Sequence, residues 1–257
     1  MNLWIKKIIV GFYFFIALPF ISQAHEGTNL FIGPEVYYVS RIKDGGAKQT
    51  GTLYGVRIGY EKLKRYKFYY AVDGLYSQGV LEGKTADHHI RSEFTNSNIE
   101  TRFGYTFQSK CFPYISLTPF FGIGYMWEIN HYRNPSPIKV KFDNSFHYLP
   151  FGCLLSFNLS EMLQVGINAT ARFLWNGKQT VKDPDYGKLS QCYEEHIQYR
   201  IEMPISYWTC WNSHQLKLRL TPFYEYRHYG NSINFPFDYL DTKFKFYGAN
   251  LEAIYSF

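Results

Sequence analysis

Two of the polar segments of this sequence contain acidic side chains that could do chemistry, and one of them also contains histidine. Asp87 and His89 are two residues apart in one segment, and Asp183 and Asp185 flank Pro184 in another. A histidine can act as a general base on water that carboxylates orient, so this combination could support hydrolysis. Asp-Pro-Asp is also a common turn composition. We predict no catalytic role and keep these four residues as the candidates for such chemistry.

The remaining histidines and cysteines form no recognisable site. His131, His147 and His228 are isolated, and no H-x-S pair, phosphate-binding glycine loop or nucleophile elbow is present. The adjacent pair His88-His89 would point to opposite faces of a strand. None of the four cysteines lies in a C-x-x-C pair, and their redox state stays open. We therefore predict no metal and no cofactor.

The first 24 residues have the composition of a secretory signal. Lys6 and Lys7 precede an apolar run over residues 8–21, and the small residues Ser22 and Ala24 follow. A membrane-spanning helix is the alternative, but it would need about 20 apolar residues. The sequence therefore predicts a signal peptide over residues 1–24 and one mature domain over residues 25–257.

The rest of the chain alternates between apolar and polar residues with a period of two, which predicts strands with two different faces. Leu163, Val165 and Ile167, for example, alternate with Gln164 and Gly166. Aromatic residues make up 20% of the sequence, which also favours strands. Ten such stretches are predicted: 29–41, 51–62, 67–81, 94–108, 117–132, 146–159, 163–176, 196–209, 216–229 and 243–257.

Connections between these stretches alternate in length. Those after the odd-numbered strands are long, such as RIKDGGAKQT and EGKTADHHIRSEF, and those after the even-numbered strands are short, such as KLKRY and SEM. This alternation is typical of transmembrane barrels with short periplasmic turns and long outer loops. The predicted fold is all-β, an antiparallel up-and-down transmembrane β-barrel of about ten strands, with eight or twelve as alternatives. A soluble barrel stays open, because alternation alone does not say which face is inside.

Two stretches carry a resemblance to a known family. The last strand, KFKFYGANLEAIYSF, ends on a phenylalanine, and LTPFFGIGYMW combines glycine with aromatic residues. Both resemble the strands of small bacterial outer-membrane β-barrel proteins of the OmpA-like and OmpX-like type. The resemblance covers the mature chain and implies a bacterial outer-membrane location. It also implies that the barrel-assembly machinery reads Leu251, Tyr255 and Phe257.

If the apolar face contacts lipid, the polar face lines the lumen with seven acids and seven bases. Opposite charges attract strongly where the dielectric constant is low, so we expect them to pair. Barrels of about eight strands are filled by side chains and open channels need about 16–18 strands, which argues against a general porin. The predicted lumen charge network comprises Glu35, Arg57, Asp73, Glu100, Arg102, Glu128, Arg172, Arg200, Glu202, Lys217, Arg219, Glu225, Arg227 and Glu252.

These features predict a non-enzymatic, structural and adhesin-like protein whose exposed loops contact other surfaces. Phe235, Phe237 and Tyr239 mark the loop expected to bind. Expected partners are outer-membrane lipid and lipopolysaccharide, the barrel-assembly machinery, and a host or environmental surface ligand. The dispersed positive charge argues against nucleic acid. The alternative is a small porin or selective channel. A third class is an outer-membrane enzyme that modifies lipid or resembles the omptin proteases, whose Asp and Asp-His pairs lie on the opposite loops.

Overall fold

The computed structural model describes residues 27–44, 46–85, 88–108, 112, 114–137, 139–160, 162–183, 187–192, 197–211, 214–230 and 241–256. The predicted signal peptide lies outside these residues. The described chain is built from strands: β1(Thr28–Lys43), β2(Ala47–Lys62), β3(Phe68–Thr85), β4(His88–Tyr105), β5(Phe107–Gln108), β6(Ile115–Arg133), β7(Lys141–Asn158), β8(Leu163–Asp183), β9(Gly187–Cys192), β10(Ile197–Glu202), β11(Ile205–Trp211), β12(His214–Tyr229) and β13(Thr242–Ser256).

All the strands belong to one antiparallel sheet that closes on itself through the pairing of β1 with β13. Strands β9, β10 and β11 follow one another along β8 in a single register, in which Lys178 is opposite Cys192, Phe173 opposite Ile197, and Val165 opposite Ile205. Strand β5 likewise continues β4 along β6. The wall therefore has ten strand positions, and the predicted ten-stranded up-and-down barrel is confirmed.

A proline interrupts the strand predicted over 196–209. Pro204 has no N–H and separates β10 from β11. The wall stays continuous there, because the Gly166 amide donates to the Pro204 carbonyl at 2.8 Å and the Met203 amide to the Pro222 carbonyl at 2.9 Å.

The long loops predicted after the odd-numbered strands are largely absent among the described residues, which is a correction. The described residues of 42–50 and 82–93 form the ends of two hairpins, in which Lys43 lies opposite Ala47 and Thr85 opposite His88. Strands β6 and β7 also form an extended hairpin, and so do strands β8 and β9. Strands of 16 to 21 residues exceed the roughly 9–11 that cross a bilayer, so the barrel continues beyond it.

Strand β13 shows where the surroundings of the wall change. Leu251 and Tyr255 are exposed on the outer face while Asn250 and Glu252 point inward. Beyond Tyr247 the pattern inverts, because Phe244 and Phe246 are buried inside and Lys243 and Lys245 face outward. The part of the wall up to Tyr247 therefore suits lipid, and the part beyond it suits water.

Outward aromatic residues form two belts around the barrel. The upper belt marks the same boundary on other strands, and the lower belt lies nearer the opposite rim. Upper-belt residues are Tyr38, Tyr54, Tyr76, Tyr125, Trp175, Tyr199, Tyr224 and Tyr247, and lower-belt residues are Phe68, Phe103, Phe107, Tyr207 and Tyr255. The stretch from Tyr247 to Tyr255 is nine residues of β13, which is the length that a tilted strand needs to cross a bilayer. We call the described residues of 40–50, 78–95, 129–145, 176–192 and 242–246 the collar. The rim that carries the β2–β3 turn at residues 63–67 is named the periplasmic rim, since the short turns of such barrels face the periplasm. No helix among the described residues could span a membrane.

Candidate functional site

The alternation of the strands places all fourteen predicted lumen residues on the inner face of the barrel. Eleven of them are buried, and the side chains of Arg102, Glu202 and Arg219 are 16–17% exposed. Most of these groups lie within salt-bridge distance of an opposite charge, as low-dielectric surroundings require. The structure therefore brings together residues from nine of the strands.

Eight of these residues form a closed ring of ion pairs around the lumen. Acids and bases alternate without exception, so that each charge has an opposite charge on both sides. The closest N–O separation among the pairs with ordinary geometry is 2.6 Å, between Arg57 and Asp73, and the longest is 3.8 Å, between Arg200 and Glu35. In order, this charge ring is Glu35, Arg57, Asp73, Arg102, Glu100, Arg172, Glu225 and Arg200.

Further groups extend the ring towards the extracellular end. Arg227 contacts both Glu225 and Glu128 at 2.5 Å. The Tyr229 hydroxyl donates to Glu128 at 2.7 Å. On the periplasmic side of the ring, Arg200 contacts Glu202 at 2.6 Å. The side chain of Arg227 is 2% exposed, so its charge depends on these carboxylates rather than on water.

A second, smaller cluster lies nearer the periplasmic rim. Arg219 contacts Glu252 at 2.6 Å and Glu61 at 3.2 Å, and Lys217 donates to Gln164 at 3.2 Å. Glu61 was not among the predicted residues, although it shares the parity of Arg57 and the period of two would have found it. A cavity of about 60 Å³ lies between this cluster and the charge ring, with room for a few water molecules.

An apolar layer fills the lumen on the extracellular side of the charge ring. We name it the aromatic plug. Tyr37 packs edge-on against Phe223 and Phe246, with ring centroids 5.9 and 5.7 Å apart, and Phe146 stacks on Tyr229 at 4.7 Å. The two layers touch, because Arg200 lies 3.9 Å over Phe223 and Arg227 4.5 Å over Phe246. The plug comprises Tyr37, Val39, Leu53, Leu81, Phe94, Met126, Phe146, Tyr148, Leu174, Phe223, Tyr229, Phe244 and Phe246.

The aromatic plug corrects the predicted charge-filled lumen, which describes only part of the barrel. The plug was missed because the sequence was assigned one polar parity throughout, whereas in the collar the inner face is apolar. Beyond the plug, Arg41 donates to Gln49 at 3.0 Å and to Tyr132 at 3.1 Å. Burial, together with the nearby charge of Arg41, lowers the pKa of Lys43 to about 8.

The predicted catalytic candidates are not brought together where they are described. His89 lies opposite Lys84 in the β3–β4 hairpin, and Asp183 lies opposite Gly187 at the end of β8. Strands β6 and β7 separate the two hairpins. Asp87 and Asp185 lie outside the described residues. The described part of the chain also holds no group of three or more side chains suited to a metal ion.

His147 and His228 face outward. His147 stacks on Trp175 with ring centroids 5.8 Å apart, within the upper belt. His228 bonds to Asp241, which also lies 3.1 Å from Lys243. Burial raises the pKa of Asp241, but the hydrogen bonds from His228 and Lys243 outweigh it and hold that pKa below its usual value.

The remaining predicted residues lie on the outer wall or outside the described chain. Leu251 and Tyr255 are 51% and 45% exposed on the lipid-facing side. Phe257 and the predicted binding residues Phe235, Phe237 and Tyr239 lie outside the described residues. Cys153 and Cys192 are free thiols.

No protein-family model matches this sequence, and no curated protein matches it significantly. Several solved structures share its fold. The outer membrane protease OmpT from Escherichia coli is 9% identical, with 90% of this chain and 96% of that chain covered and a TM-score of 0.57. The translocator domain of the autotransporter NalP from Neisseria meningitidis is 8% identical, with 98% and 96% covered and a TM-score of 0.52. The chain thus has the fold of bacterial outer-membrane β-barrels, as the resemblance predicted.

Proposed function

We propose that this protein is a non-enzymatic outer-membrane β-barrel that presents an adhesin-like surface to the exterior of the cell. The observation that carries the proposal is the two-layer filling of the lumen. The charge ring and the aromatic plug follow each other along the barrel axis and touch through Arg200 and Phe223. A barrel filled in this way supports a rigid exterior better than it supports passage of a solute.

The extended hairpins favour the same function. The collar lifts the ends of the strands beyond the upper belt and holds them in a continuous sheet. Binding residues on loops are most effective when a rigid scaffold positions them. Phe235, Phe237 and Tyr239 follow directly on β12 in the sequence, and we propose that they form the contact with a host or environmental surface.

The binding surface is tested with whole bacteria that display the protein. Replacing Phe235, Phe237 and Tyr239 by serine should lower attachment to host cells and to abiotic surfaces at least fivefold. The matched control replaces Tyr66, Phe112 and Tyr114, three exposed aromatic residues on the periplasmic side, by serine. Equal attachment by both variants and the unchanged protein, at equal surface expression, would reject an adhesin-like role for this loop.

A channel is the rival function, and conductance in planar bilayers separates the two. The unchanged protein should produce no current steps at moderate voltage, because two layers of side chains close the lumen. Reproducible steps of uniform size would support a channel instead. The proposal also includes the absence of enzymatic activity, which a screen of peptide and phospholipid substrates would contradict if turnover were lost in His89→Ala or Asp183→Ala.

A further inference from the structure

Three lysines lie side by side across adjacent strands of the collar. Lys141 on β7 is directly opposite Lys182 on β8, and Lys182 is directly opposite Lys188 on β9. Side chains of directly opposed residues in antiparallel strands project from the same face, with Cβ atoms about 5 Å apart. Lys182 and Lys188 are exposed, and Lys141 is partly so. We call these three residues the lysine row.

The lysine row is poorly neutralised by the protein. Among the described residues, the acid that pairs with it is Asp143, at 3.9 Å from Lys182. Directly opposed like charges destabilise a sheet. Lys178 adds a further exposed cation two strand steps closer to the membrane. An external anion with several charges would relieve this repulsion.

The height of the row above the membrane indicates where that anion would come from. Tyr125, His147 and Trp175 form a contiguous part of the upper belt on β6, β7 and β8. From His147 to Lys141 the strand advances by three two-residue steps. At 3.3–3.4 Å per residue and a tilt of about 35–45°, the row lies about 15 Å above the belt. The headgroup layer is only about 5–8 Å deep on each side of a bilayer, so the row lies at the level of the sugars attached to the headgroups.

We propose that the lysine row binds the phosphorylated inner sugars of lipopolysaccharide in the outer leaflet. The belt beneath the row would contact the acyl chains of the same molecule, so that one ligand spans both surfaces. Lysine side chains bind phosphate as point charges and tolerate variable sugar geometry. This surface is separate from the predicted adhesive loop, and its function does not depend on that loop.

The proposal is tested with the full-length protein in neutral detergent and purified rough lipopolysaccharide. Replacing Lys141, Lys182 and Lys188 together by glutamine should weaken binding at least tenfold, and raising the salt concentration should weaken binding to the unchanged protein. The matched control replaces Lys62, Arg65 and Lys67, which are exposed at the periplasmic rim, by glutamine. This control removes the same charge and should change the affinity less than twofold. A heat-dependent shift in gel mobility verifies that each variant is folded.

Three results would overturn the proposal. An equal loss in both triple variants would mean that net charge alone attracts the ligand. Equal binding of dephosphorylated lipopolysaccharide would mean that phosphate is not recognised. Binding of a soluble sulfated oligosaccharide at the lysine row, with lipopolysaccharide unable to compete, would assign the surface to a soluble polyanion. A loss confined to Lys141, Lys182 and Lys188 and to the phosphorylated ligand would support it.

Discussion

At the scale of single residues, the lumen is governed by the cost of leaving a buried charge without a partner. Glu225 illustrates this, because it contacts Arg172, Arg200 and Arg227 at once. Each of those arginines contacts a further acid, so a single substitution leaves several neighbours under-compensated. Buried ion pairs of this kind are weak evidence for stability, but breaking one is costly.

The pair of Arg227 and Glu128 offers the clearest measurement of that cost. Arg227→Met leaves Glu128 and Glu225 with less compensation, and we expect it to lower the free energy of unfolding by about 3–5 kcal/mol. Arg227→Met with Glu128→Gln should cost less than the sum of the single changes, because the second change removes one stranded charge. Urea unfolding in lipid vesicles, followed by tryptophan fluorescence, gives the stability of all four proteins of this double-mutant cycle. Strict additivity would show that the two groups do not interact.

The contact of His228 and Lys243 with Asp241 predicts a dependence on pH outside the membrane. Because the pKa of Asp241 is below its usual value in the folded protein, its stabilising effect is complete above about pH 4 and is lost as the pH falls through the lower, folded value. The difference in thermal stability between the unchanged protein and Asp241→Asn should therefore shrink as the pH falls from 5 to below 4. A difference that grows as the pH falls below 5 would contradict this assignment.

At the scale of elements, each long strand passes through two surroundings, lipid below the upper belt and water above it. The lower part of β13 places Leu251 and Tyr255 outside and Glu252 inside, whereas its upper part places Lys245 outside and Phe246 inside. The reversal occurs at the upper belt without any change in backbone pairing. The same strands therefore form a lipid-facing wall below the upper belt and a water-exposed wall above it.

Strand β12 provides a direct test of the lipid-facing side. Leu220 is 44% exposed and lies opposite Leu251, midway between the two belts of β13. Leu220→Arg should lower the free energy of unfolding in vesicles by about 2–4 kcal/mol, since charged side chains are costly at the bilayer midplane. Leu220→Ala keeps the site apolar and serves as its control. If both variants are equally stable, lipid does not surround this face.

The sequence predicted the ten strand positions because a period of two persists through each lipid-contacting segment, as in Leu163 to Ile167. It did not predict the strand ends, because residues such as Lys84 and Lys141 have the polarity of loops when read alone. The aromatic plug was missed for a related reason. Phe146 and Phe244 share the parity of lumen residues, but aromatic side chains were expected to face lipid. A single assignment of polar residues to the lumen and apolar residues to the outside cannot describe a strand that passes from lipid into water.

At the scale of the whole molecule, the lumen is closed by a layer of ion-paired side chains and a layer of apolar side chains that follow one another along the barrel axis. The charge ring is held by ion pairs across the lumen, and the aromatic plug is held by apolar packing. Either layer on its own would obstruct the path of a hydrated ion. Because the obstructions act in series, removing one should leave the other in control of permeation.

This arrangement predicts a specific pattern of conductance. Arg172→Ser with Glu100→Ser opens the charge ring but leaves the plug, and Phe223→Gly with Phe246→Gly thins the plug but leaves the ring. Each pair of changes should leave a planar bilayer as silent as the unchanged protein does. The four changes together should give measurable current steps, because both of the barriers in series are then reduced. Ser206→Gly with Thr221→Gly, at inward positions outside both layers, is the control for loosened packing. If the ring variant alone conducts, the aromatic plug does not seal the barrel, and the charge ring would be the only gate in the lumen.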